Sequence, residues 1–233
     1  MKMPRRRFWL PLLLVVASVA FVQFDVHYHV IGWWRGDAYY KGLPTSYWRN
    51  AATFRIKGST RPWLETLYRF VRLRPSADQT AAAIFAGDPD SAKVVAQLLN
   101  DGSTDPDVRD GLLNSLAGTG AVPSDDLATA VRPSLNEPRD STRYYAACYL
   151  LKSDRDRTTA MRQILEVFGK WGQDSSPHVR SSIISHIVQL TAKCNDVDRP
   201  ALLAILRQLE GDSNSMVRER AAQGSEEISK FAQ

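Results

Sequence analysis

The chain has 233 residues, room for one membrane segment and one medium domain, and its hydrophobic content of 44% is that of a folded protein. The net charge of +5 is unevenly spread: residues 1–74 hold 13 Lys/Arg and 3 Asp/Glu, whereas residues 75–233 hold 17 and 22. An acidic body opposes nucleic-acid binding, and two cysteines, Cys148 and Cys194, exclude a disulfide scaffold. Eighteen Asp against seven Glu suggest many helix ends, because Asp caps helices and Glu fills them.

Residues 1–7 form a basic n-region with Lys2, Arg5, Arg6 and Arg7. Residues 8–24, FWLPLLLVVASVAFVQF, carry no charge and end at Asp25. Seventeen apolar residues are the short end of what crosses about 30 Å of hydrocarbon as a helix. Together they predict a signal-anchor with the N-terminus cytoplasmic and the remainder exported. Ser18 and Ala20 precede a potential cleavage point before Phe21, so a cleaved, secreted or periplasmic form is one alternative, and a buried helix of the folded body is another.

Residues 25–58 form an aromatic, basic leader. Trp33, Trp34, Tyr39, Tyr40, Tyr47 and Trp48 are its candidate partner or cap surface. Trp and Tyr directly after a membrane segment are expected at headgroup level. Gly32, Gly36, Gly42 and Pro44 predict breaks in any long helix, and Thr45 or Ser46 predicts the cap of a short helix over 47–54. His27 and His29 would share a strand face, with no third metal ligand nearby.

From 59 to 233 the sequence is periodic. Segments starting at Val108, Thr142, Val179 and Val217 align without gaps, each with arginine second: Arg109, Arg143, Arg180 and Arg218. Apolar pairs follow at Leu112/Leu113, Ala146/Ala147, Ile183/Ile184 and Ala221/Ala222, and then Leu116, Leu150 and Ile187, with Ser225 the exception. These positions share one helical face, so Ile183 and Ile184 are predicted core while Ser181 and Ser185 are not. Asp105-Pro106, Asp140-Ser141, Ser176-Pro177 and Asn214-Ser215 predict caps. Second helices are predicted from Leu127/Val131/Leu135, Met161/Ile164/Leu165/Phe168 and Leu202/Leu203/Ile205/Leu206/Leu209. A degenerate first pair is read from Ala82, Ala83, Ala86, Val94, Val95, Leu98 and Leu99, after an opening helix over 62–73.

This pattern resembles the HEAT family, and is most similar to the short bacterial HEAT-like repeats of phycobilisome lyases, over roughly 75–233. The resemblance implies an all-α fold: an α-solenoid of stacked helix pairs, here preceded by one N-terminal membrane segment. It also implies that the repeated arginines pair with aspartates of neighbouring repeats. In such a stack Cys148 and Cys194 would be offset by about nine residues, or ~14 Å along parallel helices, too far for a disulfide.

No nucleotide, hydrolase or zinc-protease motif occurs. The Asp-x-Asp pairs at 88/90, 105/107, 154/156 and 196/198 lack the rest of a calcium loop and read as caps. Gly118-Thr-Gly120 reads as a C-cap, Trp171 as inter-helix packing, and His178 and His186 as solvated or packed side chains. No catalytic, cofactor or metal residue is assigned, and neither nucleic acid nor a small-molecule substrate is expected. The sequence favours a membrane-anchored, non-enzymatic scaffold that binds a protein partner and the lipid bilayer. The alternatives are an enzyme or enzyme accessory of the bilin-lyase kind, or a nucleic-acid-binding HEAT-like protein. A solenoid must also cover its first apolar helix, and residues 45–58 are the predicted cap over 62–73.

Overall fold

The computed structural model describes residues 26–57, 84–120, 122–191 and 198–230, together with Leu14, Ala17 and Ala82. The signal-anchor, the opening helix over 62–73, Ala83 and Cys194 therefore lie outside the described residues, Leu14 and Ala17 excepted. Among the described residues, no helix is long and apolar enough to cross a membrane.

Among the described residues the protein is all-α apart from one hairpin of two-residue strands. Helix α1 is Val26–Arg35, β1 Tyr39–Tyr40, β2 Leu43–Pro44, α2 Thr45–Lys57, α3 Ala92–Asn100, α4 Pro106–Gly118 and α5 Asp125–Val131. Helix α6 is Asp140–Leu150, α7 Arg157–Trp171, α8 Pro177–Thr191, α9 Arg199–Leu209 and α10 Ser215–Lys230. The chain divides into two compact units, one ending at Ser134 and one beginning at Leu135.

The four aligned segments fall on α4, α6, α8 and α10, and their shared positions other than the arginines are buried, apart from the half-buried Val179 and, in α10, Ala222 and Ser225. Leu112, Leu113, Leu116, Ala146, Ala147, Leu150, Ile183 and Ile187 are all within 1% of full burial. In the unit from Leu135, α6 packs on α7, and α8 and α9 both pack on α10. The second-helix stripes are buried at Leu127, Val131, Leu135, Met161, Ile164, Phe168, Leu202, Leu206 and Leu209. Leu165, Leu203 and Ile205 are half-buried. Trp171 packs between helices as expected, its ring 5.4 Å from that of Tyr144.

Several expectations need correction. Ser181 is buried, because its hydroxyl accepts a hydrogen bond from Arg220 Nη1 on α10 at 2.8 Å, whereas Ser185 is exposed. In α10 the inward residue after Ala221 is Gly224, while Ala222 is exposed and Ser225 donates to Glu210 at 2.5 Å. Asp140 is not a cap: it lies in the first turn of α6 and pairs with Arg143. Gly118 is the last residue of α4 and does not turn the chain, which leaves through an extended Thr119. The caps at Asp88, Asp105 and Asn214 form as expected, Asp105 accepting from Asp107 N–H at 2.9 Å and Asn214 from Met216 N–H at 3.0 Å. Before α8 it is Asp174 that accepts, from Ser176 N–H at 2.8 Å, and Asp156 and Asp198 stand at the N-caps of α7 and α9 without a side-chain cap bond.

Candidate functional site

The leader is the candidate site, and its local structure follows from backbone constraints. Gly32 does not break α1; the helix ends at Gly36, whose φ of +67° suits glycine. Asp37 N–H donates to Gly32 O at 2.8 Å and Gly36 N–H to Trp33 O at 3.4 Å, the paired bonds of a Schellman end. Lys41 and Gly42 both have positive φ, as a two-residue hairpin turn requires, and pair Tyr39 with Pro44 and Tyr40 with Leu43. His27 and His29 therefore sit on a helix rather than a strand. Helix α2 runs to Lys57, longer than the 47–54 expected, and its entry is capped from a distance: Ser46 N–H donates to Asp37 Oδ2 at 2.7 Å.

Two side chains of the body, Gln97 and Asp88, hold the hairpin. Gln97 of α3 accepts from Ala38 N–H at 2.7 Å and Thr45 Oγ1 at 2.5 Å, and donates to Gly36 O at 3.1 Å. The Tyr40 hydroxyl donates to Asp88, holding that carboxyl below the ordinary carboxylate range, while burial pushes the Tyr40 phenol up.

The six aromatic candidates divide into two groups. Tyr40, Tyr47 and Trp48 are interior. The Trp48 indole N–H is shared between Tyr40 O at 3.2 Å and Leu43 O at 3.1 Å, so this ring closes the hairpin core. Trp33 and Trp34 are each 82% exposed and Tyr39 is 45% exposed. Only this second group is available to a partner.

Helix α2 packs on α3 and α4. It thus covers the first of the aligned helices; its predicted target over 62–73 lies outside the described residues. Arg49 of α2 pairs with Asp101 and reaches Thr104 Oγ1 at 3.3 Å, both in the loop before α4. Arg180 of α8 does the same to the loop before α10, binding Asp212 through Nε at 2.7 Å and Nη2 at 2.8 Å. Each of these helices thus locks the entry loop of the helix two elements further along its unit. The Arg180 guanidinium holds the Asp212 carboxyl below the ordinary range. The expected arginine–aspartate pairing between neighbouring segments is therefore found at Arg180.

Two of the other repeated arginines, Arg109 and Arg218, serve their own loops. Arg218 Nη1 donates to Asp212 O at 2.7 Å and Ser213 O at 3.0 Å, and Arg109 Nε to Thr104 O at 3.3 Å. Arg180 makes the equivalent bond to Asp174 O at 2.6 Å. Arg143 departs from the pattern, pairing within α6 to Asp140 and reaching Glu166 at 3.5 Å. Asp101, Asp174, Asp212 and Gln97 were missed by the sequence reading; the Asp-x-[Ser/Asn] spacing before α4, α8 and α10 is the signal that could have found the aspartates.

Elsewhere, Tyr144, Phe168, Trp171 and His186 form an aromatic cluster in which burial lowers the His186 pKa. His178 is exposed. Among the described residues, no group of three His, Cys, Asp or Glu side chains is placed to hold a metal ion. Comparison with family models, with curated proteins and with solved structures finds no match.

Proposed function

We propose that this chain is a membrane-anchored, non-enzymatic scaffold whose HEAT-like helix pairs stack as an α-solenoid outside the cytoplasm and bind a protein partner. One observation supports the reading: each of the four aligned segments lies on a helix that turns apolar positions of the alignment inward. Helices α4, α6 and α8 bury their aligned apolar pairs, α10 buries Val217 and Ala221, and three of the four arginines fold back onto carbonyls of their own entry loops. A reused helix pair buries its apolar face against its neighbours and leaves an extended surface free for a macromolecule. The basic cluster at Lys2, Arg5, Arg6 and Arg7 before the apolar 8–24 run supports the anchor and its orientation.

A phosphatase fused after Gln233 is expected to be active at the cell envelope, with the chain in the membrane fraction. An inactive phosphatase, with a cytoplasmic reporter active at the same position, would overturn both topology and localisation. Cross-linking of the intact chain in membranes should then recover a defined protein.

A further inference from the structure

Helix α1 is rolled against the usual rule of burial. The side it turns to the body is made of Gly32, Tyr28 and His29. A Cβ on Gly32 would lie 2.4 Å from Pro44 Cβ, Tyr28 stacks edge-on to Tyr47 at 5.3 Å, and His29 stacks on Tyr39 at 5.9 Å. The side turned away carries Val26, Val30 and Trp33 at i, i+4 and i+7, with Ile31 and Trp34 beside them. These five are 37%, 57%, 82%, 40% and 82% exposed. Tyr39 of β1 is also exposed, and Arg35 ends the helix. The ridge is unbroken along Val26, Val30 and Trp33, with His27 between Trp34 and Ile31, and exposed apolar surface of this kind marks one that is covered in use.

The chain itself says what covers it. The uncharged run over 8–24 ends a single residue, Asp25, before α1 begins. If that run is in the bilayer, α1 starts at the bilayer surface, and an indole-rich helix with a basic end is suited to the zone between headgroups and acyl chains. We infer that α1 lies flat in the lipid interface, with Val26, Val30, Ile31, Trp33 and Trp34 immersed, as a second membrane contact beside the anchor. This rests on the anchored reading above. Because Gly32, Pro44 and the Gln97 clamp join α1 firmly to α2 and α3, the seat would hold the first unit at a set orientation to the membrane, where a flexible tether would let it tumble.

The test uses the full chain with Trp9→Phe, in lipid nanodiscs containing lipids brominated near the headgroup. The indole emission lost on adding Trp33→Phe and Trp34→Phe reports these two residues. That component should be blue-shifted, quenched by the brominated lipid and shielded from acrylamide, and the double substitution should leave the melting temperature unchanged. If the chain sits in the discs but this component stays open to acrylamide and untouched by bromine, the seat is wrong and the anchor stands. Shielding in native membranes but not in lipid discs would make the occupant a protein and also overturn it. A chain that does not enter the discs at all would sink both readings.

Discussion

At the residue scale, the arginine–aspartate lock makes the clearest prediction. Asp212 is held below the ordinary carboxylate pKa, first by its hydrogen bonds from Arg180. A carboxylate with a lowered folded-state pKa contributes stability above its unfolded value, about 3.9, and loses it as pH falls through the folded value. Asp212→Asn should therefore melt lower than the parent from pH 7 down to about pH 5, and the gap should close below about pH 4. A gap that stays constant down to about pH 2 would show that the ionised carboxylate is not what the lock uses. Arg180→Met should lose at least as much at neutral pH, since it removes the same bidentate pair and the bond to Asp174 O as well.

At the scale of elements, two glycines set how closely helices approach. On α1, the missing Gly32 Cβ leaves room for the Pro44 ring. On α4, a Gly111 Cβ would lie 2.3 Å from Ile56 Cδ1 of α2. The two contacts differ in what can yield. A proline ring is rigid, whereas Ile56 is 37% exposed and can turn its terminal methyl outward. Gly32→Ala should cost about 1–3 kcal/mol through overpacking. Gly111→Ala should be close to neutral, because alanine recovers roughly 0.5–1 kcal/mol of helix preference. Chemical denaturation of both variants decides this, and equal losses would show that Ile56 is as fixed as Pro44.

At the scale of the whole molecule, the leader belongs to the folded body of the first unit. Helix α2 covers α3 and α4, Arg49 closes the loop before α4, and Lys57 pairs with Asp105 at the α4 cap. A fragment of residues 26–233 should unfold cooperatively and stay monomeric. A fragment of 59–233 should melt lower and aggregate, because it exposes the apolar face that α2 buries. Identical melting and sedimentation of the two fragments would show that the cap contributes nothing.

The sequence alone was enough for the aligned helices and for most of their inward faces; it missed α1, the inward Ser181 and the outward Ala222. Leu112, Ala146 and Ile183 recur at one helical spacing, and burial of a one-sided apolar face is the dominant stabilising effect, so period translates directly into core. The caps at Asp105 and Asn214 were legible for the same reason: their bonds span only two or three residues. What only tertiary structure decided depends on groups far apart in the chain. Gln97 meets Gly36, Ala38 and Thr45 across 52 to 61 residues, and Asp37 rather than Thr45 or Ser46 supplies the entry cap of α2. Nor could composition separate Trp48, sealed under the hairpin, from Trp33 and Trp34, which face outward. An indole has the same hydrophobicity in either place, and which one is covered is settled by the two positive-φ residues that fold the hairpin over Trp48 and the glycine that lets α1 lie with its tryptophans away from the body.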